Sequence, residues 1–260
     1  MPEAQPVARR VRVEQVMGTA IGVDLREPWV TDEAIDRLFA WLREVDARFS
    51  TYRQTSEIRR LDRGELALDA AHADVREVLE LCDEVERRSD GHFSARPAGG
   101  GLDPSAVVKG WSVDRGARLL EAAGARNFCI NAGGDVLARG EPEPGRPWRV
   151  GIRHPEEAGL MLAVLGVRDL AVATSGTYER GGHIVDPATG GPARDLLSMT
   201  VVGPSLTLAD AHSTAAFAMG LEGARWVAGI PDHGACAVTA ERRVVWTDGC
   251  RRLRVQDTAR

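Results

Sequence analysis

A single lysine, Lys109, stands among the 33 basic residues of this 260-residue chain, in the run Leu102-Asp103-Pro104-Ser105-Ala106-Val107-Val108-Lys109-Gly110-Trp111. A lysine in a chain that meets its other cationic needs with arginine suits a place where a compact point charge is wanted, for instance against a phosphate, and an arginine-biased composition that simply left one lysine at a helix start explains it equally well. A second run, Leu208-Ala209-Asp210-Ala211-His212-Ser213-Thr214-Ala215, sets Asp210 and Thr214 four apart, so on a helix their oxygens leave one face. Carboxylate and hydroxyl oxygens so placed suit a hard cation such as Mg²⁺, which keeps its other positions for water or phosphate. A capping Asp and a back-bonding Thr satisfy the same spacing without an ion. In His183-Ile184-Val185-Asp186-Pro187 a histidine lies beside a carboxylate. That pairing orients a general base, although a structural histidine has the same neighbours.

Two small-residue segments leave function and plain turning equally open. Asn131-Ala132-Gly133-Gly134-Asp135 lets backbone approach a ligand closely, and it also makes a tight hairpin. Residues 173–180, Ala-Thr-Ser-Gly-Thr-Tyr-Glu-Arg, read as a hydroxyl-rich turn after an apolar strand, with no Walker or Rossmann spacing. His72, His154, His212 and His233 show no metal-ligand spacing and read as surface or packing residues. The four cysteines lie far apart without a CxxC, which indicates neither a zinc site nor a disulfide framework.

These residues need elements to hold them. Residues 10–25 alternate apolar and polar about a Met17-Gly18-Thr19 break and predict a strand pair. Thr31 caps a predicted helix in which Ile35, Leu38, Phe39, Leu42, Val45 and Phe49 keep the helical period. A polar loop over 49–57 leads into a short helix near 56–61, and a long helix is predicted over 73–88 with Gly91 past its end. After Gly99-Gly100-Gly101, Asp103 as cap and Pro104 as first helical residue open the helix that carries Lys109. Strands are predicted at 128–131, 135–138, 148–153, 161–167 and 170–173, a helix at 206–220, a shorter one to 228, and a closing hairpin at 235–240 and 244–247. Successive strands without intervening helices imply antiparallel pairing. The class is therefore α+β, a mainly antiparallel sheet packed with long helices.

Hydrophobic residues at 43% and charged residues at 27% are those of a globular chain, and the formal charge of −5 offers no basic field to nucleic acid or anionic lipid. Neither a nucleic-acid nor a membrane partner is expected. No stretch has the form of a signal peptide or membrane span, so the expected location is cytoplasmic.

In order along the chain, Met17-Gly18-Thr19, the loop 49–57, Asp103 to Trp111, Asn131 to Asp135, Thr174 to Tyr178, His183 to Pro187 and Asp210 to Thr214 form a set that resembles the FAD:protein FMN transferases, the ApbE-like family. The resemblance runs over about residues 14–250, taken as a single domain between tails at 1–13 and 251–260. It implies an ApbE-like, T-fold-related architecture. It also implies Mg²⁺-dependent cleavage of FAD as substrate, transfer of FMN to a Ser or Thr of an acceptor flavoprotein, and release of AMP.

Carried over position by position, the resemblance makes Asp103 and Lys109 FAD ligands. Ala106 would lend its carbonyl to the metal, and Asp210, Thr214 and Ser213 would join it there. Met17, Tyr52, His92, Phe93, Ser94 and Ile184 fall where flavin and adenine contacts are expected, and His183 where the acceptor hydroxyl is deprotonated. The chain departs from the family pattern at Ser94, where an Asp often follows the Gly-x-Phe turn; Arg96 or Asp135 would then supply that polar contact. It also lacks the lipobox or signal of many members, which implies an acceptor that is flavinylated before export or stays in the cytosol. Two rivals remain at this point: an FAD pyrophosphatase that releases free FMN and AMP, and a non-catalytic flavin-binding protein, which would need no base.

Overall fold

The computed structural model describes residues 9–96, 100–177, 191 and 193–255. Its centre is an eight-stranded sheet in the order β1-β2-β3-β4-β7-β8-β9-β10, and every pairing among the described strands is antiparallel. The strands are β1 (Arg10–Val16), β2 (Thr19–Leu25), β3 (Phe128–Ala132), β4 (Asp135–Arg139), β7 (Ala171–Gly176), β8 (Leu196–Gly203), β9 (Gly234–Thr239) and β10 (Val244–Trp246). β5 (Trp148–Arg153) and β6 (Met161–Val167) form a separate two-stranded sheet. The helices are α1 (Asp32–Phe49), α2 (Glu57–Asp62), α3 (Ala73–Arg88), α4 (Ser105–Ala122), α5 (Leu206–Ala218), α6 (Leu221–Ala228) and the single turn α7 (Asp248–Arg251).

Period decides which face each element buries. Ile35, Leu38, Phe39, Leu42, Val45 and Phe49 line the buried side of α1. Alternation along the strands sends Ile21, Val23, Ile130, Leu137, Ala173 and Val201 into a core shared with α1, α4, α5 and α6. On the sheet's other face Val136, Ala138, Val172 and Val202 pack against Trp148, Val150, Ile152 and Leu165 of the β5–β6 hairpin. A third cluster, with Phe49, Val75, Val78, Val107 and Trp111, joins α3 to α1 and α4.

β8 is the strand missing from the sequence expectation. It is almost wholly buried between β7 and β9, and the run from Leu196 to Gly203 shows no alternation because both of its faces are covered. β7 also continues to Gly176 where a turn after residue 173 was expected, so Thr174 and Ser175 lie in the ladder opposite Thr200 and Met199. Their hydroxyls are bonded inside the structure, which is how a polar strand end tolerates burial. Residues 178–180 of that expected turn lie outside the described residues.

The caps differ in detail. Thr31 occupies the N-cap of α1 without a side-chain bond, and its carbonyl accepts from Ala34 N–H at 3.1 Å. Pro104, not Asp103, is the N-cap residue of α4, yet Asp103 still serves the helix end by accepting from Ser105 N–H at 3.0 Å. The sheet takes up the chain at Arg10. Val255, the last described residue, donates its N–H to the Val164 carbonyl of β6 at 2.8 Å.

Candidate active site

Lys109 leaves the second turn of α4 toward the sheet. Its ammonium lies 2.5 Å from Asp135 Oδ2 and 3.6 Å from Asp210 Oδ1, and both carboxylates are buried. Asp135 is the first residue of β4 and shares the helix-facing side with Leu137 two residues on. It gets there through a two-residue turn in which Gly133 (φ 64°) and Gly134 (φ 109°) both take the left-handed region that glycine tolerates. Thr19 Oγ1 would stand 2.5 Å from a Cβ at Gly133, so this turn also needs a glycine for space. Asn131 Oδ1 braces the turn by accepting from Gly134 N–H at 3.0 Å. Thr174 N–H of β7 donates to Asp135 Oδ1 at 3.0 Å, which leaves Oδ2 to the lysine.

Asp210 comes from α5, which crosses α4 at Gly110. A Cβ there would fall 2.3 Å from the Leu206 carbonyl oxygen and 2.8 Å from Thr207 Cα, so the two backbones meet at this glycine. Asp114, one turn further along α4, fixes the start of α5. Its carboxylate accepts from Ser205 Oγ (2.8 Å), Leu206 N–H (3.1 Å), Thr207 N–H (2.8 Å) and Thr207 Oγ1 (2.6 Å).

Below Asp210 the hydroxyls form a network. Ser213 Oγ donates to the Asp210 carbonyl at 2.9 Å, and Thr214 Oγ1 to the same oxygen at 3.3 Å. Ser175 Oγ of β7 lies 2.8 Å from Ser213 Oγ and 3.3 Å from Thr214 Oγ1. The back-bond expected of an interior helical threonine is therefore present. It engages the hydroxyl's one proton, and a lone pair remains even if Ser175 donates to Thr214.

This donor set fits a hard cation. Among the described residues no three of His, Cys, Asp and Glu are placed to share a metal ion, so a thiolate or imidazole site is not formed there. Asp210 instead offers a buried carboxylate on the helix face that Thr214 shares one turn on, with Ala106 in the first turn of α4, the helix packed against it. Oxygen donors of this kind suit Mg²⁺, which binds few protein groups and retains water and phosphate oxygens.

The other expected residues are more dispersed. Met17 sits in the β1–β2 turn with φ 56°, a strained conformation for a long side chain, and its sulfur accepts from Ser112 Oγ at 3.6 Å. Ser112 Oγ also lies 2.8 Å from the Lys109 carbonyl, which ties Met17 to the lysine's own helix. Asp103 accepts from Ser105 N–H and, through a short contact, from Ser105 Oγ; its own N–H donates to the Ala95 carbonyl at 2.8 Å.

Phe93 is buried in the third cluster, His92 Nδ1 lies 2.8 Å from the Ser89 carbonyl, and Ser94 Oγ accepts from Arg96 N–H at 3.0 Å. Tyr52 is 88% exposed on the loop between α1 and α2, and its N–H donates to Ser50 Oγ at 3.3 Å. His183 and Ile184 lie outside the described residues. The sequence offers Asp135 only as an alternative to Arg96 for a cofactor contact and Ser175 only as part of a turn; the pairing of Asp135 with Lys109 is new, and its one signal is the position directly after Gly-Gly. His212 and His233 pack on one another at 5.2 Å between ring centroids, as packing residues would.

The model of the ApbE family matches residues 17–98 and 94–238. A Haemophilus influenzae protein named FAD:protein FMN transferase is 36% identical over 138 residues, 49% of this chain and 40% of that protein. A Rhodobacter capsulatus protein of the same name is 40% identical over 159 residues, 55% of this chain and 30% of its own length. The matched stretches thus span less than half of these relatives. The solved flavin transferase ApbE from Vibrio cholerae superposes with a TM-score of 0.82 at 22% identity, covering 95% of this chain and 100% of that one. The ApbE protein of Thermotoga maritima gives 0.83 at 19%, covering 96% and 100%. At such identities the likeness concerns the fold, an antiparallel sheet with long helices as the sequence implied.

Proposed function

This chain belongs to the ApbE family, and from that premise we propose that it is an Mg²⁺-dependent FAD:protein FMN transferase. The observation that carries the reading is the Lys109 ammonium held between the buried carboxylates of Asp135 and Asp210, above a hydroxyl-lined face of α5. In the reaction an acceptor Ser or Thr oxygen bonds to the FMN phosphorus, the bridging P–O bond breaks, and AMP leaves with the bridging oxygen. The hydroxyl's proton must go to a base, and the sequence offers His183 for that role.

Lys109 places a point charge against the phosphate oxygens as negative charge develops, in a site preorganised by α4 and β4. Asp210 and Thr214, with the carbonyl of Ala106 and a contribution from Ser213, would hold Mg²⁺. When bound, the ion neutralises charge on the pyrophosphate and polarises its phosphorus centres. Asp103 would contact the same substrate. Met17, Tyr52, His92, Phe93, Ser94 and Ile184 would meet the flavin and adenine, with the exposed Tyr52 ring offering a flat apolar face.

The test incubates the protein with FAD, Mg²⁺ and candidate acceptor domains, then reads the intact mass of each acceptor and the AMP and FMN in solution. An FMN adduct on a Ser or Thr with AMP in equal amount is the expected result. Free FMN and AMP with no adduct on any acceptor would make the protein a pyrophosphatase, and bound, uncleaved FAD would make it a flavin binder.

A further inference from the structure

Asp135 and Asp210 compete for one ammonium. Asp135 holds it more closely, 2.5 Å against 3.6 Å, and its own carboxylate is fixed by the start of β4 and by the Thr174 N–H. Lys109, by contrast, hangs on a flexible four-carbon stem whose side chain retains 27% exposure. A shift of about 1 Å, small for such a stem, would bring the ammonium into direct contact with Asp210. We propose that Asp135 is a positioning residue for the cation site: it holds the Lys109 ammonium on the sheet side, so that the lysine does not close on the Asp210 carboxylate and compete there with a divalent ion. The proposal rests on the functional reading above, in which Asp210 is the ligand carboxylate.

Asp135→Asn isolates this role. The amide oxygen keeps the bond from Thr174 N–H, while the NH₂ now faces the ammonium, donor against donor. Binding of Mn²⁺, a spectroscopic substitute for Mg²⁺ at oxygen sites, is measured by the electron paramagnetic resonance of the free ion, in the absence of FAD. We expect Asp135→Asn to weaken Mn²⁺ binding by roughly 10-fold to 100-fold, the usual cost of losing a partner that orients a metal site. Adding Lys109→Met to that variant should return the affinity to the wild-type range, because no ammonium remains to occupy Asp210.

Unchanged binding in Asp135→Asn would overturn the proposal, as would a double variant as weak as the single one. Should Asp135→Asn fail to fold, Lys109→Met alone decides: it should bind Mn²⁺ at least as tightly as wild type, and weaker binding would contradict the competition. Absence of Mn²⁺ binding by the wild type would instead remove the functional reading itself, and the proposal with it.

Discussion

At Lys109 a change of shape can be separated from a change of charge. Its ammonium sits between two buried carboxylates, and a guanidinium in that position would engage them as a planar fork and present a different geometry to a phosphate. Lys109→Arg should lower kcat/KM for FAD by roughly 10-fold to 150-fold, the loss of one hydrogen bond to a charged group of about 1.5–3 kcal/mol. Steady-state kinetics of the two proteins checks this; an arginine variant with wild-type kinetics would show that charge alone suffices. The lysine was legible because it has no counterpart in the sequence, and Asp210 and Thr214 because a helix converts their spacing into a shared face. Asp135 was not, since its link to Lys109 joins residues 26 positions apart and depends on how β4 meets α4. Ser175 was misplaced for a related reason: polar residues read as turn, whereas its hydroxyl is buried against α5.

The contact of α4 with α5 converts two separate motifs into one site. It exists because Gly110 lets backbone meet backbone and Asp114 caps α5 with four hydrogen bonds. Gly110→Ala would put a methyl group within 2.3 Å of the Leu206 carbonyl oxygen, and neither helix can yield locally. Overpacking of this kind costs about 1–3 kcal/mol, so the midpoint of thermal unfolding should fall by roughly 2–12 °C. Because the same strain separates Lys109 from Asp210, FAD turnover should fall even well below the new midpoint. Retained stability and turnover together would mean that the helices are not in backbone contact there. Helices α1 and α3 could be read from periodicity, since each buries one stripe, whereas α4, buried over most of its circumference from Val107 to Val113, was legible only from its Asp103-Pro104 start. β8 could not, because a strand covered on both faces has no alternation, and its Ser198 and Thr200 interrupt the apolar run that would otherwise reveal it.

For the molecule as a whole, stability should carry the signature of a buried histidine. His212 is buried against Trp226 and His233, its Nδ1 has no hydrogen-bond partner among the described residues, and burial, followed by the charges of His233 and Arg88, pushes its pKa from 6.5 down to about 4. The folded state then keeps the ring neutral where the unfolded chain takes up a proton, so this contribution is complete above pH 6.5 and is lost as pH falls toward 4. The linkage amounts to about 3 kcal/mol. Urea denaturation across that window, without divalent ions, should show a shallower pH dependence for His212→Phe than for wild type, whatever the variant does to absolute stability. Equal slopes would mean that His212 titrates normally.

The fold as a whole brings α4, α5 and β4 together around one ammonium, and the activity proposed for this cluster is Mg²⁺-dependent phosphoryl chemistry on FAD. Single-turnover transfer of FMN to an acceptor domain, followed by intact mass in wild type and Asp210→Ala, tests it most directly. Wild type should form the adduct only with Mg²⁺. Asp210→Ala, folded by circular dichroism, should be slower by about 10²-fold or more, since loss of the cation removes several kcal/mol of charge stabilisation. Transfer by Asp210→Ala at the wild-type rate and the same Mg²⁺ concentration would mean that Asp210 does not hold the ion.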